Sequence, residues 1–60
     1  MTRAQVEAQI QRLENEIAEW RTELRTANPL ARTEISSLRA FIENANAAID
    51  TRIAYLATIS

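Results

Sequence analysis

Arg52 combines a residue type and a position that could support chemistry in this chain of 60 residues. It occupies a slot in a row of apolar residues, where a guanidinium group is costly to bury unless it is paired or reaches solvent. One interpretation is that the side chain extends past the open end of the fold into water. A second is that it pairs with Glu7, or with Asp50 or Glu34 of a second chain, and so fixes how the helices align.

A third interpretation gives Arg52 a ligand. Arginine binds anions such as phosphate through several N–H groups at once. Tyr55 and Phe41 are the aromatic residues in the same half of the chain, and either ring could supply a stacking face. These three residues therefore form a candidate site for a small anion, such as a nucleotide, in a pocket between subunits.

The sequence contains few residue types that could support other catalytic chemistry. The sequence has no Cys or His to act as base, nucleophile or soft metal ligand, and no Gly for a phosphate-binding loop. Its carboxylates are concentrated in one stretch, but Arg12 and Arg21 lie close enough to form ordinary ion pairs with them on a helix surface; these carboxylates are Glu14, Glu16, Glu19 and Glu23. We therefore predict no enzyme, no metal site and no cofactor.

The first half of the chain has the pattern of a long helix. Thr2 and Gln5 have the spacing of a capping box, and Met1 is placed to pack on Val6. Apolar residues then recur at alternating spacings of four and three, with no turn residue among them. We expect a helix over residues 3–27, with an apolar row made of Val6, Ile10, Leu13, Ile17, Trp20, Leu24 and Ala27.

The second half repeats this pattern after Asn28-Pro29, the only strong break in the chain. Asn28 can cap a helix over residues 30–59, although Thr33 followed by Glu34 offers a later start. The sequence predicts an all-α protein, a single antiparallel two-helix hairpin over residues 1–60 with its turn at 28–29. The second apolar row comprises Ile35, Leu38, Ile42, Ala45, Ile49, Arg52, Leu56 and Ile59.

One hairpin cannot cover all of these apolar residues. Phe41, Ala48 and Tyr55 recur every seven residues on one flank of the second helix, and Ile53 lies on the other flank. A second copy would complete a four-helix bundle or a larger helical oligomer, with a two-fold homodimer the leading form. The predicted interface residues are Val6, Ile10, Leu13, Ile17, Trp20, Leu24, Ile35, Leu38, Phe41, Ile42, Ile49, Ile53, Leu56 and Ile59.

The outermost positions of the second helix carry another pattern. Such positions are usually charged, but here they hold small or uncharged residues. This row is either a second contact surface in a larger assembly, because small residues let helices approach closely, or a solvated face made of good helix formers. Its residues are Ala40, Asn44, Ala47, Thr51 and Ala54.

Charge argues against nucleic acid as a partner. The hairpin is similar in architecture to Rop-type plasmid regulators, whose dimers are RNA-binding four-helix bundles. The net charge of this chain is −1, however, and acids balance the arginines in both halves, so the basic surface that phosphates need is lacking. The longest uncharged stretch, 53–60, is too short to span a membrane, and the start does not resemble a secretory signal. We expect a cytoplasmic protein.

The leading functional hypothesis is a non-enzymatic helical hairpin that self-associates and acts as a structural, adaptor or inhibitory subunit. Its partners would be further copies of itself and another protein. Its small size and lack of cysteine suit a gene of a phage or mobile element. The first alternative is an oligomer that captures a small anion at Arg52, and the second is a Rop-like RNA-binding bundle.

Overall fold

The computed structural model describes residues 1–59 as two helices. Helix α1 spans Arg3–Thr26 and helix α2 spans Arg32–Thr58. The helices pack against each other as an antiparallel hairpin, with no strand in the described residues, which confirms the predicted all-α fold. Each helix ends one residue before the predicted end, at 26 rather than 27 and at 58 rather than 59. Across the described range, neither helix combines the length and apolarity needed to cross a membrane.

The start of α1 is fixed by the capping box that its sequence predicts. The Thr2 hydroxyl accepts the Gln5 backbone N–H at 3.2 Å, and the Gln5 side-chain oxygen accepts the Thr2 backbone N–H at 2.9 Å. Two backbone donors that the helix itself cannot satisfy are thereby paired. Met1 lies beside this turn and remains 72% exposed, although Val6 itself is completely buried.

The second helix begins at Arg32, two residues later than the predicted start at residue 30. Asn28 does not cap it. Its carbonyl oxygen accepts the Ala31 N–H at 2.9 Å, and its side-chain oxygen accepts the Leu30 N–H at 3.0 Å. These bonds close a β-turn with Pro29 at its second position, a place that the fixed φ of proline suits as well as it suits a first helical turn.

The core is a single line of side chains between the two helices. Ile10, Leu13, Trp20 and Ile42 pack against it while remaining partly exposed. The molecule is a rod of 46 × 14 × 12 Å, and its radius of gyration is 14.0 Å. A compact domain of this length would have a radius of gyration of about 10 Å. The buried apolar residues of the described range are only Val6, Ile17, Leu38, Ala45 and Ile49.

Two contacts between the helices fix their alignment. The side chain of Arg52 bonds to that of Gln9, and the ring of Phe41 lies 5.6 Å from that of Trp20. Folding the sequence at Asn28-Pro29 places Val6 near Arg52 and Trp20 near Leu38. The alignment seen in the structure therefore agrees with the sequence pattern to within one helical turn.

Because the core is one line of side chains, each buried leucine should matter. Leu38 is 5% exposed and Leu30, in the turn, is 84% exposed. We expect Leu38→Ala to lower the free energy of unfolding by about 2–5 kcal/mol, enough to remove most of the helicity of so small a protein. Leu30→Ala deletes the same atoms from an exposed site and should change it by less than about 0.5 kcal/mol.

Urea titrations followed by circular dichroism at one fixed protein concentration would measure both changes. Equal losses in the two variants would contradict the placement of the core, because the two substitutions delete the same atoms and the helix propensities of Leu and Ala are too similar to produce a loss of this size in α2.

Candidate interaction face and end pocket

The hairpin has two broad faces of different character. Trp20 with Phe41 and Gln9 with Arg52 meet on the same side of the seam, where Tyr55 also lies beside Arg52. We call this side the aromatic face; it consists of Gln9, Glu16, Trp20, Phe41, Ala48, Arg52, Tyr55 and Ile59. On the opposite side, a shallow groove of about 290 Å³ is bordered by polar and charged residues; these include Glu14, Arg21 and Asn46.

The aromatic face leaves large apolar side chains in water. Phe41 is 48% exposed, Tyr55 40% and Ile59 38%. The seven-residue spacing keeps Phe41, Ala48 and Tyr55 in one row, so that this exposure forms a stripe along α2. Ile53 is also exposed, but it is two residues from Tyr55 and so points to nearly the opposite side of the helix.

Most of the predicted interface residues are engaged within the single chain. Val6, Ile17, Leu38 and Ile49 are buried in the hairpin. A second group is half-buried along the seam, comprising Ile10, Leu13, Trp20, Leu24, Ile35, Ile42 and Leu56. Only Phe41, Ile53 and Ile59 of the predicted set are exposed enough to offer a wide surface to another molecule.

A pocket of about 260 Å³ opens at the end of the hairpin away from the turn. It lies on the aromatic face and its wall is mostly apolar. Val6 is completely buried beside it, and Arg52 supplies the only charged side chain of its lining. The lining residues are Met1, Val6, Gln9, Thr51, Arg52 and Tyr55.

Arg52 is held by neutral groups. Its Nε donates to Oε1 of Gln9 at 2.9 Å across the seam, and its NH1 donates to the Ala48 carbonyl at 3.0 Å. The predicted pairing with Glu7 within the chain is wrong, because the Glu7 carboxylate accepts instead from Nε of Arg3 at 3.1 Å. A guanidinium has five N–H groups, so these two bonds leave others for water or a ligand.

The predicted anion site is assembled only in part. Arg52 and Tyr55 line the same pocket, but Phe41 packs on Trp20, with an angle of 42° between the ring planes. Phe41 lies 14 residues before Tyr55, which is about 21 Å along a helix. Phe41 therefore lies apart from the other two within one chain, and its part in a pocket between subunits stays a prediction.

The uncharged row on α2 adjoins the aromatic face. Ala40, Asn44, Ala47, Thr51 and Ala54 are all exposed, as the sequence pattern predicts for outermost positions. Asn44 and Thr51 each follow a residue of the aromatic stripe by three positions, which makes them its neighbours on the helix surface. The Thr51 hydroxyl donates to the Ala47 carbonyl at 3.0 Å, so its polar group is already bonded.

Gln9 is the residue of this site that the sequence pattern missed. Only its position could have indicated the contact with Arg52. Gln9 lies three residues after Val6, and folding the chain back on itself places Val6 near Arg52. Nothing in its residue type marks it as a partner for a cation. Among residues 1–59, the structure contains no cluster of three or more acidic side chains that could hold a metal ion.

Comparisons with protein-family models, with curated proteins and with solved structures found no match to this chain.

The partly buried bond between Gln9 and Arg52 should couple the two side chains energetically. We expect the double-mutant cycle of Gln9→Ala and Arg52→Ala to give a favourable coupling of about 1 kcal/mol in the free energy of unfolding. The exposed Arg3–Glu7 ion pair is the matched control, and its cycle should give at most about 0.5 kcal/mol. Urea denaturation of all seven proteins measures both couplings. A cycle for Gln9 and Arg52 no larger than the control would mean that water replaces this bond without cost.

Proposed function

We propose that this protein is a non-enzymatic helical hairpin that self-associates through its aromatic face and works as a structural, adaptor or inhibitory subunit. The observation that carries the proposal is the row of Phe41, Ala48 and Tyr55, in which a half-buried alanine lies between two half-exposed rings, along a rod with a thin core. A row of large apolar side chains left in water on a small protein is typical of an interaction site. Its polar neighbours on α2, Asn44 and Thr51, are uncharged, so that among the flanking groups only Glu16 and Arg52 must stay in water or be paired when the stripe is covered.

The surface area of the chain supports this proposal. The hairpin exposes 4590 Å². A compact monomer of 6.8 kDa would expose about 4000 Å², so that the excess is roughly 600 Å². A standard protein interface buries about 800 Å² on each partner. Covering the aromatic face in a dimer would therefore bring the exposed area of each chain down to that of an ordinary folded protein.

The thin core also favours association. Below about 70–80 residues a single core supplies only a few kcal/mol, and small proteins are usually reinforced by disulfides, metals or oligomerisation. This sequence has no Cys or His, so oligomerisation is the form of reinforcement that its composition best supports. Complete burial of the half-exposed rings of Phe41 and Tyr55 would contribute about 1 kcal/mol or more from each.

A charge placed in the aromatic stripe should prevent association. We expect native mass spectrometry of the gently purified protein to show two chains, and that of Phe41→Lys or Tyr55→Lys to show one, because an ammonium group cannot be buried unpaired and would repel the nearby Arg52. Ile53→Lys is the matched control. It introduces the same charge at an exposed apolar residue on the opposite face, and it should leave the dimer intact.

Circular dichroism of each variant reports whether the helices survive. A wild-type protein that is a single chain at micromolar concentration would contradict the proposal. A dimer lost in Ile53→Lys but kept in Phe41→Lys would place the interface on the opposite face.

Capture of a small anion is a second candidate function, favoured by the end pocket that joins Arg52 to Tyr55. The guanidinium has N–H groups beyond those bonded to Gln9 and Ala48, and the Tyr55 ring is exposed enough to stack on a base. No comparable observation favours RNA binding, since the arginines remain balanced by acids.

Anion capture makes its own prediction for Arg52. If the pocket holds a nucleotide, a nucleoside monophosphate should bind more tightly than inorganic phosphate, and Arg52→Ala should weaken its binding at least about tenfold. Arg39→Ala, which removes an exposed arginine on the other side of α2, should have no effect. Calorimetric titration with both probes measures this. Equal weakening in the two variants would indicate a general charge effect instead of a site.

A further inference from the structure

The aromatic face carries a projection and a recess at different heights along the rod. The projection is the pair of rings Trp20 and Phe41, in contact at 5.6 Å. The recess is the end pocket beside Arg52 and Tyr55. Phe41 and Tyr55 are 14 residues apart on α2, so that about 21 Å separates the two features along the helix.

A two-fold dimer requires that any residue i contacting residue j is matched by j contacting i. If the two-fold axis runs along the helices, the two chains are parallel, and each feature lies opposite the same feature of the partner. The projection then faces the partner's projection, and the pocket faces the partner's pocket. If the axis runs across the helices, the two chains are antiparallel and the projection of each can meet the pocket of the other. Only the second arrangement fills both pockets.

The position of the axis follows from the spacing. Midway between Phe41 and Tyr55 on the aromatic stripe is Ala48. The side chains along the stripe are therefore large, small and large, and this order is the same in both chain directions. A small residue at the centre lets two copies of α2 approach closely, while the flanking rings pack beyond it.

We propose that two copies pair face to face and antiparallel about an axis at Ala48, so that Phe41 of each copy fills the end pocket of the other beside Arg52. This inference rests on the proposed self-association and specifies its geometry. The ring of Phe41 is half-exposed and the pocket wall is mostly apolar, so their contact removes apolar surface from water on both sides.

The proposal also gives Arg52 a role. Its guanidinium is fixed by Gln9 and Ala48 at the wall of the pocket. A cation near the face of an aromatic ring is attracted by it, and arginine makes this contact more often than lysine does. The pocket is then completed by a side chain of the second copy.

The lack of native cysteine makes a cross-linking test direct. We expect Ala48→Cys to form an intermolecular disulfide rapidly on oxidation, because the axis brings its two copies within the Cα separation of about 4.4–6.8 Å that a disulfide needs. Ala47→Cys is the matched control, since it is exposed and points about 100° away on the same helix. The effective concentration of paired thiols is about millimolar, so that at micromolar protein Ala48→Cys should react roughly a hundredfold faster or more.

Ser37→Cys tests the opposite orientation without altering either ring. Ser37 lies four residues before Phe41 on the same side of α2, far from the axis at Ala48. Two copies of residue 37 would meet if the α2 helices paired in parallel, and they would lie far apart in the antiparallel dimer. We therefore expect no rapid disulfide in Ser37→Cys.

The outcomes separate this inference from the proposed function. A wild-type mass of one chain overturns both. A dimer in which Ser37→Cys cross-links, or in which Ala48→Cys is as slow as Ala47→Cys, keeps self-association and overturns the antiparallel geometry. A dimer carrying a stoichiometric nucleotide that is lost in Arg52→Ala would mean that a ligand, and not Phe41 of the partner, fills the pocket.

Discussion

Two helices have one seam, and a side chain on that seam can be covered only by the helix opposite. This limit explains why five residues are buried among the 59 described, and why side chains just off the seam, such as Phe41 and Tyr55, remain half in water. Lengthening the helices adds core only in proportion to length, whereas a second layer would cover the whole row at once. The exposed stripe is therefore a direct consequence of the two-helix architecture.

Arg52 shows how this seam accommodates a charge near its open end. The neutral amide of Gln9 and the carbonyl of Ala48 satisfy two of its N–H groups without neutralising it. A carboxylate partner would have made a compact ion pair and left the pocket without a net charge. With a neutral partner, the end pocket keeps a positive charge against an apolar wall, a combination that suits an aromatic ring or a small anion.

The sequence predicted the helices well because their signals are local and repeated. The capping box of Thr2 and Gln5 and the two apolar rows each depend on residues a few positions apart. The start of α2 was predicted less well because Asn28 and Pro29 suit both a helix start and a β-turn. The choice depends on the five residues that must reverse the chain between Thr26 and Arg32, which no local pattern records.

The partner of Arg52 was beyond prediction for a different reason. Charge patterns favour carboxylates as partners, but the contact depends on which side of the seam each residue occupies, and Gln9 is the polar group placed there. The same placement brings Tyr55 to Arg52 and leaves Phe41 with Trp20, so the two aromatic residues of α2 make different contacts.

The aromatic stripe and the uncharged row on α2 were separate patterns in the sequence, but on the helix they are adjacent. Asn44 and Thr51 lie between the rings and the outer alanines, and Thr51 already bonds within its own helix. Together they leave this side of α2 free of charge from residue 40 to residue 51, whereas the charged residues of that segment and its start, Arg39, Glu43 and Asp50, lie on the other side. A surface of this width can seat more than one neighbouring helix. A dimer formed across the stripe would thus leave Ala40, Ala47 and Ala54 uncovered. They would form an uncharged surface that a further copy or a different protein could contact.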